Sequence, residues 1–342
     1  MVLSDIVNRK PKVMKTFFLG IDISKDNLDC AVVDKVENVI QSDIQFANNK
    51  TGISKLLKWV KKEFKNDVWI GMEHTGHYGY LLTATLAVKY PDFSLINPLE
   101  IKRSQGISRG KSDPIDAIRI AQYCVIFTNR LTPFSLPDKA ILKLQSLIRS
   151  RDHLVVGNTR DKNYIKQLKI SNSYLSTKEE LKELKEQIKL TEQRIEKFEV
   201  MIQDVIESNE EIKTAYEKIT KVIGVGPITA VKVITETNLF QKFDNPRAFA
   251  SHCGIAPFPH SSGSSVRGRT RTSKMRNRKL KSVLFNAASS AIQHDPQLRS
   301  YYKRKVAEGK KEISVLNAVA NKIILRIYAV INRDEPFVKL MA

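Results

Sequence analysis

The sequence predicts an α/β domain at the amino terminus, a long helical segment behind it and a mainly α carboxy-terminal domain. Three observations carry this. Three apolar runs in succession give way to alternating helical and strand-like patterns in the first third. A heptad seam occupies the middle. The last third is strongly basic and is framed by apolar helical patterns.

Phe17 to Ser24, Leu28 to Val33 and Val39 to Phe46 read as strands, with Lys25-Asp26-Asn27 as a tight turn between the first two. Thr51 to Phe64 is predicted helical from Ile53, Leu56, Leu57 and Val60. Val68 to Met72 reads as a short buried strand, Tyr80 to Val88 as a helix, Phe93 to Ile96 as a strand and Asp116 to Phe127 as a helix. A meander followed by alternation implies a mixed sheet with helices packed on it. This is the element order of the ribonuclease H-like, or RuvC-like, fold. In that fold the first and fourth strands are neighbours, which would set Asp22 beside Glu73. Pro133 and Pro137 punctuate the end of this domain, taken as residues 1–137.

Residues 138–210 form the helical segment. One arm runs from Lys139 to about Leu168, and Ser171-Asn172-Ser173 breaks it from the next. From Leu181 the seam Leu181, Leu184, Ile188, Thr191, Ile195, Phe198, Ile202 and Val205 alternates steps of three and four, flanked by Lys and Glu. A helical hairpin or dimerising coiled coil is one reading; two amphipathic helices packed on their own domain is the other. In residues 211–342, Ile223-Gly224-Val225-Gly226-Pro227 sits between helices predicted over Glu211 to Lys221 and Ile228 to Glu236. Gly224 and Gly226 permit a tight reversal and expose N–H groups at a helix start, as in a helix-hairpin-helix that grips a DNA backbone; a plain helix–helix turn is the alternative. His260 to Ser265 reads as a polar, flexible loop. The basic run Arg267, Arg269, Arg271, Lys274, Arg276, Arg278, Lys279 and Lys281 follows with no acid in it. Helical patterns over Leu280 to Ile292 and Ile313 to Ile331 bracket the run, which argues for a phosphate-binding surface inside a folded domain rather than a solvated tail.

A net charge of +21 over 342 residues attracts polyanions, nucleic acid above all, with anionic membrane as the competitor. No apolar stretch reads as long enough to span a bilayer, and Met1 to Lys15 lacks the apolar core of a secretory leader. Cys30, Cys124 and Cys253 are few, odd in number and widely spaced. That fits a reducing cytoplasm and small core residues, not a disulfide framework or a zinc site.

Asp22 and Glu73 end apolar strand-like runs, and Asp113 and Asp116 stand three apart at a helix start, so both face one way. Carboxylates at apolar strand ends need cationic compensation. Several converging on one point suit Mg²⁺ or Mn²⁺, and two such ions about 4 Å apart make a phosphoryl-transfer centre. Each acid alone reads equally as a cap or a solvated strand end. His74 and His77 could argue for zinc, but the flanking glycines and missing cysteines weaken that, and they are read as lining the site or binding DNA. Ser261 and Ser262 stand beside arginines that could neutralise an attacked phosphate, though such serines commonly only solubilise loops.

The motifs Gly20-Ile21-Asp22-Ile23-Ser24-Lys25, Glu73-His74-Thr75-Gly76-His77-Tyr78, Asn97-Pro98, Lys111-Ser112-Asp113-Pro114-Ile115-Asp116-Ala117, Ile223-Gly224-Val225-Gly226-Pro227, Gly254-Ile255-Ala256-Pro257 and Ser262-Gly263 together resemble the DEDD transposases of bacterial insertion sequences, the IS-one-ten group with its Piv/MooV-type invertases. The resemblance covers nearly the whole chain. It implies a RuvC-like domain, a coiled coil and a carboxy-terminal transposase domain. It carries the four-carboxylate metal site onto Asp22, Glu73, Asp113 and Asp116 and a nucleophilic serine onto Ser262. Here Ser261 replaces the family's Gln before that serine and is a rival. It further implies recombination of donor and target DNA guided by a non-coding RNA, and dimers or tetramers in which one subunit's serine completes another's carboxylate site. Lys111 and the basic run would then meet nucleic acid. A metal-dependent junction nuclease using water, and a non-enzymatic nucleic-acid scaffold, are the competing classes.

Overall fold

The computed structural model describes residues 15–74, 76–104, 113–172, 174, 176–243, 245–262, 266–272 and 276–333. The chain divides into two compact units, Met1–Leu136 and Pro137–Ala342.

In the first unit, β1 (Phe17–Ile23), β2 (Asn27–Asp34), β3 (Val39–Ala47), β4 (Val68–Glu73) and β5 (Phe93–Ile96) form one mixed sheet in the order β3-β2-β1-β4-β5. β1 and β2, and β2 and β3, are antiparallel; β1 and β4, and β4 and β5, are parallel. The parallel pairs require crossovers, which α1 (Lys50–Phe64) and α2 (Tyr80–Lys89) supply. α1 starts because the Asn49 side chain accepts from the Gly52 N–H, and it stops at Lys65, which takes the left-handed conformation (φ 50°). Ile53, Leu56 and Val60 on its inner face pack with Leu82 and Leu86 of α2 against Leu19, Ile21, Cys30 and Ile70 on one face of the sheet. Each such aliphatic side chain contributes about 1.5–3 kcal/mol on full burial. The opposite face meets α4 (Asp113–Ile126), whose Ile120, Ala121 and Cys124 pack on Phe18, Val33, Trp69 and Ile96.

α4 approaches the sheet closely because two glycines lie under it. A Cβ at Gly20 would stand 2.0 Å from the Ala117 carbonyl oxygen and 2.5 Å from the Ala121 nitrogen, and one at Gly71 would stand 2.2 Å from Cys124 Sγ. α3 (Pro98–Ser104), which no apolar period in the sequence marks, is a short helix tied to α4 by the Tyr123 hydroxyl, which donates to Glu100 Oε2 at 2.7 Å.

The second unit is built on two long helices, α5 (Lys139–Ser171) and α6 (Lys178–Glu207), followed by α7 (Glu210–Thr220), α8 (Pro227–Thr237), α9 (Pro246–His252), a two-stranded hairpin β6 (Pro257–Ser262) and β7 (Val266–Thr272), then α10 (Arg278–His294), α11 (Pro296–Ala307) and α12 (Glu312–Asn332). α5 and α6 run antiparallel and are laced by Arg151–Glu199 at 2.6 Å and Lys162–Glu192 at 2.6 Å. At the base of this pair Ile141, Leu144, Leu147, Ile202 and Ile206 join the core formed by Ile212, Ile234, Phe249, Leu284 and Ile323, so the long helices share one core with the carboxy-terminal helices. The stretch expected as a flexible loop is partly a β-hairpin: residues 260–262 end β6.

One sequence expectation is corrected outright. α12 has 21 residues and contains an 18-residue stretch with a mean hydropathy of 1.5, so it is long and apolar enough to cross a bilayer by length and composition. Its Val319, Ala320, Ile323, Ile324 and Ile327 are buried in the second unit's core, which accounts for the apolarity. Asp295 latches this region. It caps α11 by accepting from the Leu298 N–H, and it pairs with Arg326 of α12 at 2.5 Å while only 4% exposed. Burial raises its carboxyl, but the Leu298 N–H and the Arg326 guanidinium outweigh that and hold it below the ordinary carboxylate value. Because the folded pKa is depressed, the stabilisation is present above the unfolded value of about 4 and is lost as pH falls through the folded value. Asp295→Ala is expected to cost about 2 kcal/mol, since it removes a cap and the carboxylate partner of a half-buried guanidinium, which keeps its hydrogen bond to Gln297 Oε1. Urea unfolding of the variant at neutral pH checks the magnitude, and the same measurement below pH 4 should find the difference diminished.

Candidate acidic site and serine hairpin

The first cluster builds from strand register. Ile21 pairs with Met72 in the parallel β1–β4 ladder, so Asp22 and Glu73 are the next residues on neighbouring strands at the same sheet end. Alternation puts them on the face that holds Gly20 and Gly71, the face covered by α4. Both are half-buried. Asp22 Oδ1 accepts from the Ile23 N–H at 3.0 Å. Asp113 opens α4 one turn before Ala117, the residue whose carbonyl lies against Gly20, and Asp116 precedes Ala117 directly. The helix that the glycines admit therefore carries the second pair of acids to the strand ends bearing the first. The structure brings Asp22, Glu73 and Asp116 to one region and sets Asp113 at its edge by backbone position. Among the described residues no three His, Cys, Asp or Glu side chains converge tightly enough to hold a metal as they stand.

Several residues that carry little or no signal in the sequence belong to this region. Arg119 is partly buried and its Nη1 donates to Asp116 Oδ1 at 2.9 Å. Asp29 of β2 pairs with Asp22 across the antiparallel ladder and accepts from Gln45 Nε2 at 2.9 Å. Asn48 donates from Nδ2 to the carbonyls of Ser24 and Tyr78, joining the turn after Asp22 to the loop after Glu73. An amide or a guanidinium in a loop or a helix has no periodicity to mark it. The one available signal was the three-residue step from Asp116 to Arg119, which puts opposite charges on one helix face. His74 and His77 are exposed, with the His77 ring against Tyr78 at 4.2 Å.

The second cluster lies in the other unit. For Ser261, Ser262, Arg267, Arg269 and Arg271 the structure describes the backbone. Ser261 pairs with Arg267 and Ser262 with Val266 across the hairpin, so the first arginine of the basic run occupies the position opposite Ser261. Lys274 and Lys111 lie outside the described residues. Where the hairpin joins the core, Gly254 (φ 67°) packs against the Arg276 side chain, and Lys281 donates to the Gly254 carbonyl at 2.8 Å. Burial, with Arg276 adding repulsion, lowers the Lys281 ammonium from its ordinary value. Asn277 caps α10 through the Leu280 N–H, and Arg278 is exposed. His252, which looked incidental, stands 2.7 Å from Glu236 Oε1. That hydrogen bond outweighs burial in holding the Glu236 carboxyl below its ordinary value.

The two glycines of the α7–α8 turn differ. Gly224 has φ 92°, and a Cβ there would stand 2.4 Å from the Ala287 carbonyl oxygen, so it lets α10 pack against the turn. Gly226 precedes Pro227 at the start of α8 with open space where a Cβ would go.

Comparison with known proteins finds transposase family models matching in each unit. A model of the DEDD transposases of IS110 matches residues 19–169, and a model of the IS116/IS110/IS902 transposase family matches residues 216–303. The chain belongs to the IS110 family of transposases. Its relatives include the pilin gene-inverting proteins of Moraxella bovis and Moraxella lacunata, each 26% identical over 95% of this chain and 99% of theirs. The transposase for insertion sequence element IS1111A of Coxiella burnetii is 22% identical over 97% of this chain and 94% of its own. An IS110-family chain is an enzyme that acts on DNA.

Proposed function

We propose that this transposase cleaves and exchanges DNA strands by joining a divalent-metal centre in the first unit to a serine nucleophile in the second. The observation that carries the reading is the register of β1 and β4, which sets Asp22 and Glu73 at one sheet end beneath the helix bearing Asp113 and Asp116. The strand order β3-β2-β1-β4-β5 supports a RuvC-like assignment for this unit. The donors are all hard carboxylate oxygens, which fit Mg²⁺ or Mn²⁺ and not a softer ion. Asp22, Glu73, Asp113 and Asp116 would hold it, and its charge would polarise a DNA phosphate and stabilise the transition state.

The chain's own groups do the rest. The Ser262 hydroxyl, with Ser261 as rival, attacks the scissile phosphorus. A serine–phosphate bond forms, the bond from phosphorus to one sugar oxygen breaks, and that oxygen leaves as a hydroxyl. Arg267, Arg269, Arg271, Lys274, Arg276 and Arg278 offset phosphate charge around the hairpin. Lys111, two residues before Asp113 in the sequence, does the same, and Gly224 and Gly226 bring backbone N–H groups toward a strand. A guide RNA from the element would choose the donor and target by base pairing, leaving the protein to read shape and charge. The antiparallel helices α5 and α6 would join copies into a dimer or tetramer, so that a serine of one copy serves the acids of another.

Trapping protein on a cleaved donor end tests the serine step. The unaltered chain and one of Ser261→Ala or Ser262→Ala should give a covalent adduct, and the other variant none. Adducts from both variants would refute the serine assignment. Cleavage with no adduct from any chain, the unaltered one included, would favour a nuclease that uses water.

A further inference from the structure

α12 carries Glu312 at its start and only two further charges, Lys322 and Arg326, one turn apart on one face. With Leu325, that face meets the side of α11 that bears Gln297, Ser300, Tyr301 and Arg304. The two helices frame a surface depression of about 540 Å³, within the size range of small-ligand sites, and among the described residues no acid lines it. Lys322 Nζ stands 4.6 Å and Arg304 Cζ 5.9 Å from the centroid of the Tyr301 ring. Arg326 is held from behind by Asp295 at 2.5 Å and by Gln297 Oε1 at 2.6 Å. Glu308 lies 4.0 Å from Arg304 but 2.7 Å from Lys305, and among the described residues no carboxylate pairs with Lys322. Leu325 is 48% exposed.

Three cations gathered in one depression repel one another, and the Tyr301 ring offsets only part of that. An anion seated there would turn the repulsion into a shared attraction. The exposed leucine beside an aromatic ring adds an apolar floor, which a phosphate alone has no use for. A nucleotide matches both halves, with a flat base for the floor and a charged phosphate for the rim. We propose that the depression between α11 and α12 takes a nucleotide of an unpaired DNA strand, its base against Tyr301 and Leu325 and its phosphates at Arg304 and Lys322. Arg326, fixed by Asp295, adds positive charge without having to move. In a duplex the bases are stacked inside and only the backbone is offered, so the depression selects single strands. The family acts on DNA, and recombination exposes unpaired nucleotides wherever strands part. The inference needs neither a metal at the acids nor a nucleophilic serine. It adds to the second unit a nucleic-acid contact built from residues outside the basic run.

Binding of the full chain to a labelled DNA single strand of about ten nucleotides, to the blunt duplex and to RNA of the same sequence is followed by fluorescence anisotropy over a range of salt. Arg304→Gln combined with Lys322→Gln is expected to weaken single-stranded DNA about tenfold and to make the slope of log affinity against log salt shallower by about 1.4, the value for two phosphate contacts. Duplex binding should change by less than about twofold, because its bases cannot reach the floor. Lys55→Gln combined with Lys58→Gln, an exposed pair on α1, removes the same charge and is the control, with less than about a twofold change on any strand. Tyr301→Leu keeps every cation and should still weaken the single strand about tenfold through lost stacking. Leu325→Glu, at an exposed position, should weaken it too, and it serves if another variant fails to fold. If the Arg304 and Lys322 pair loses no more than the control pair, or if duplex and single strand weaken alike, the cations are general surface charge and the proposal falls. Full affinity in both Tyr301→Leu and Leu325→Glu would remove the base from the depression and overturn it as well. A loss on RNA larger than that on DNA would show a different occupant and end the DNA assignment.

Discussion

Asp22→Asn is expected to abolish strand transfer while leaving the first unit folded. The substitution keeps the shape of the side chain and the acceptor for the Ile23 N–H, so β1 loses no packing. It removes one negative charge from a sheet end that also carries Glu73 and Asp29. Like charges gathered in a half-buried place repel, so the metal-free unit should melt at the same temperature or slightly higher. Activity should move the other way. A group that holds the cation facing a transferring phosphate acts only where charge develops, and its loss should lower the rate by about 10³-fold or more. Glu73→Gln should behave alike, being the next residue on the neighbouring parallel strand. Recombination between donor and target plasmids, set against melting curves of the same preparations, is the measurement. An Asp22→Asn protein that recombines at the original rate would show that the sheet-end acid has no part in the reaction.

The second large effect comes from a residue with no chemistry of its own. Gly20→Ala is expected to destabilise the first unit by about 3 kcal/mol, the upper end of the overpacking range, and to cost activity besides. The added carbon would stand 2.0 Å from the Ala117 carbonyl and 2.5 Å from the Ala121 nitrogen. Both are backbone atoms of α4, so no rotamer change relieves the clash and the helix must lift from the sheet. Since α4 carries Asp113 and Asp116, lifting it separates them from Asp22 and Glu73, and a lengthened site is poorly suited to catalysis. Gly157→Ala is the matched control. Gly157 lies within α5 with nothing within 4 Å of an added Cβ, so there the change should stabilise by up to about 1 kcal/mol through helix propensity. Chemical unfolding of the two variants tests the contrast. Equal stability for Gly20→Ala and the unaltered chain would mean that α4 does not need that glycine.

These expectations separate what a linear pattern can carry from what it cannot. Alternation and helical spacing are local, so β1 through β5 and α1, α2, α4, α5, α6, α7, α8, α10 and α12 were legible, with ends off by a few residues. α3, α9 and α11 were missed because helices of only seven to twelve residues carry too few apolar positions to declare a period. Of the loop expected at His260 to Ser265, residues 260–262 instead end a strand, because an opposed partner, Val266–Thr272, exists to satisfy their backbone. The apolar length of α12 is readable from the sequence and was underestimated there; only the fold shows that its apolar residues are buried in the second unit's core.

From the linear chain alone came the identity of the acids and serines, their settings at strand ends, a helix start and a basic stretch, and a net charge that favours a polyanionic partner. Folding decided the rest: which strands lie side by side, how closely α4 sits on Gly20 and Gly71, and that Asp29, Gln45, Asn48 and Arg119 join the neighbourhood of Asp22, Glu73 and Asp116. The reason is physical. A side chain's chemistry and a short-range period are written in adjacent residues. Register, close approach and the partner of a buried charge arise only when distant segments meet and must satisfy one another's volume, hydrogen bonds and electrostatics.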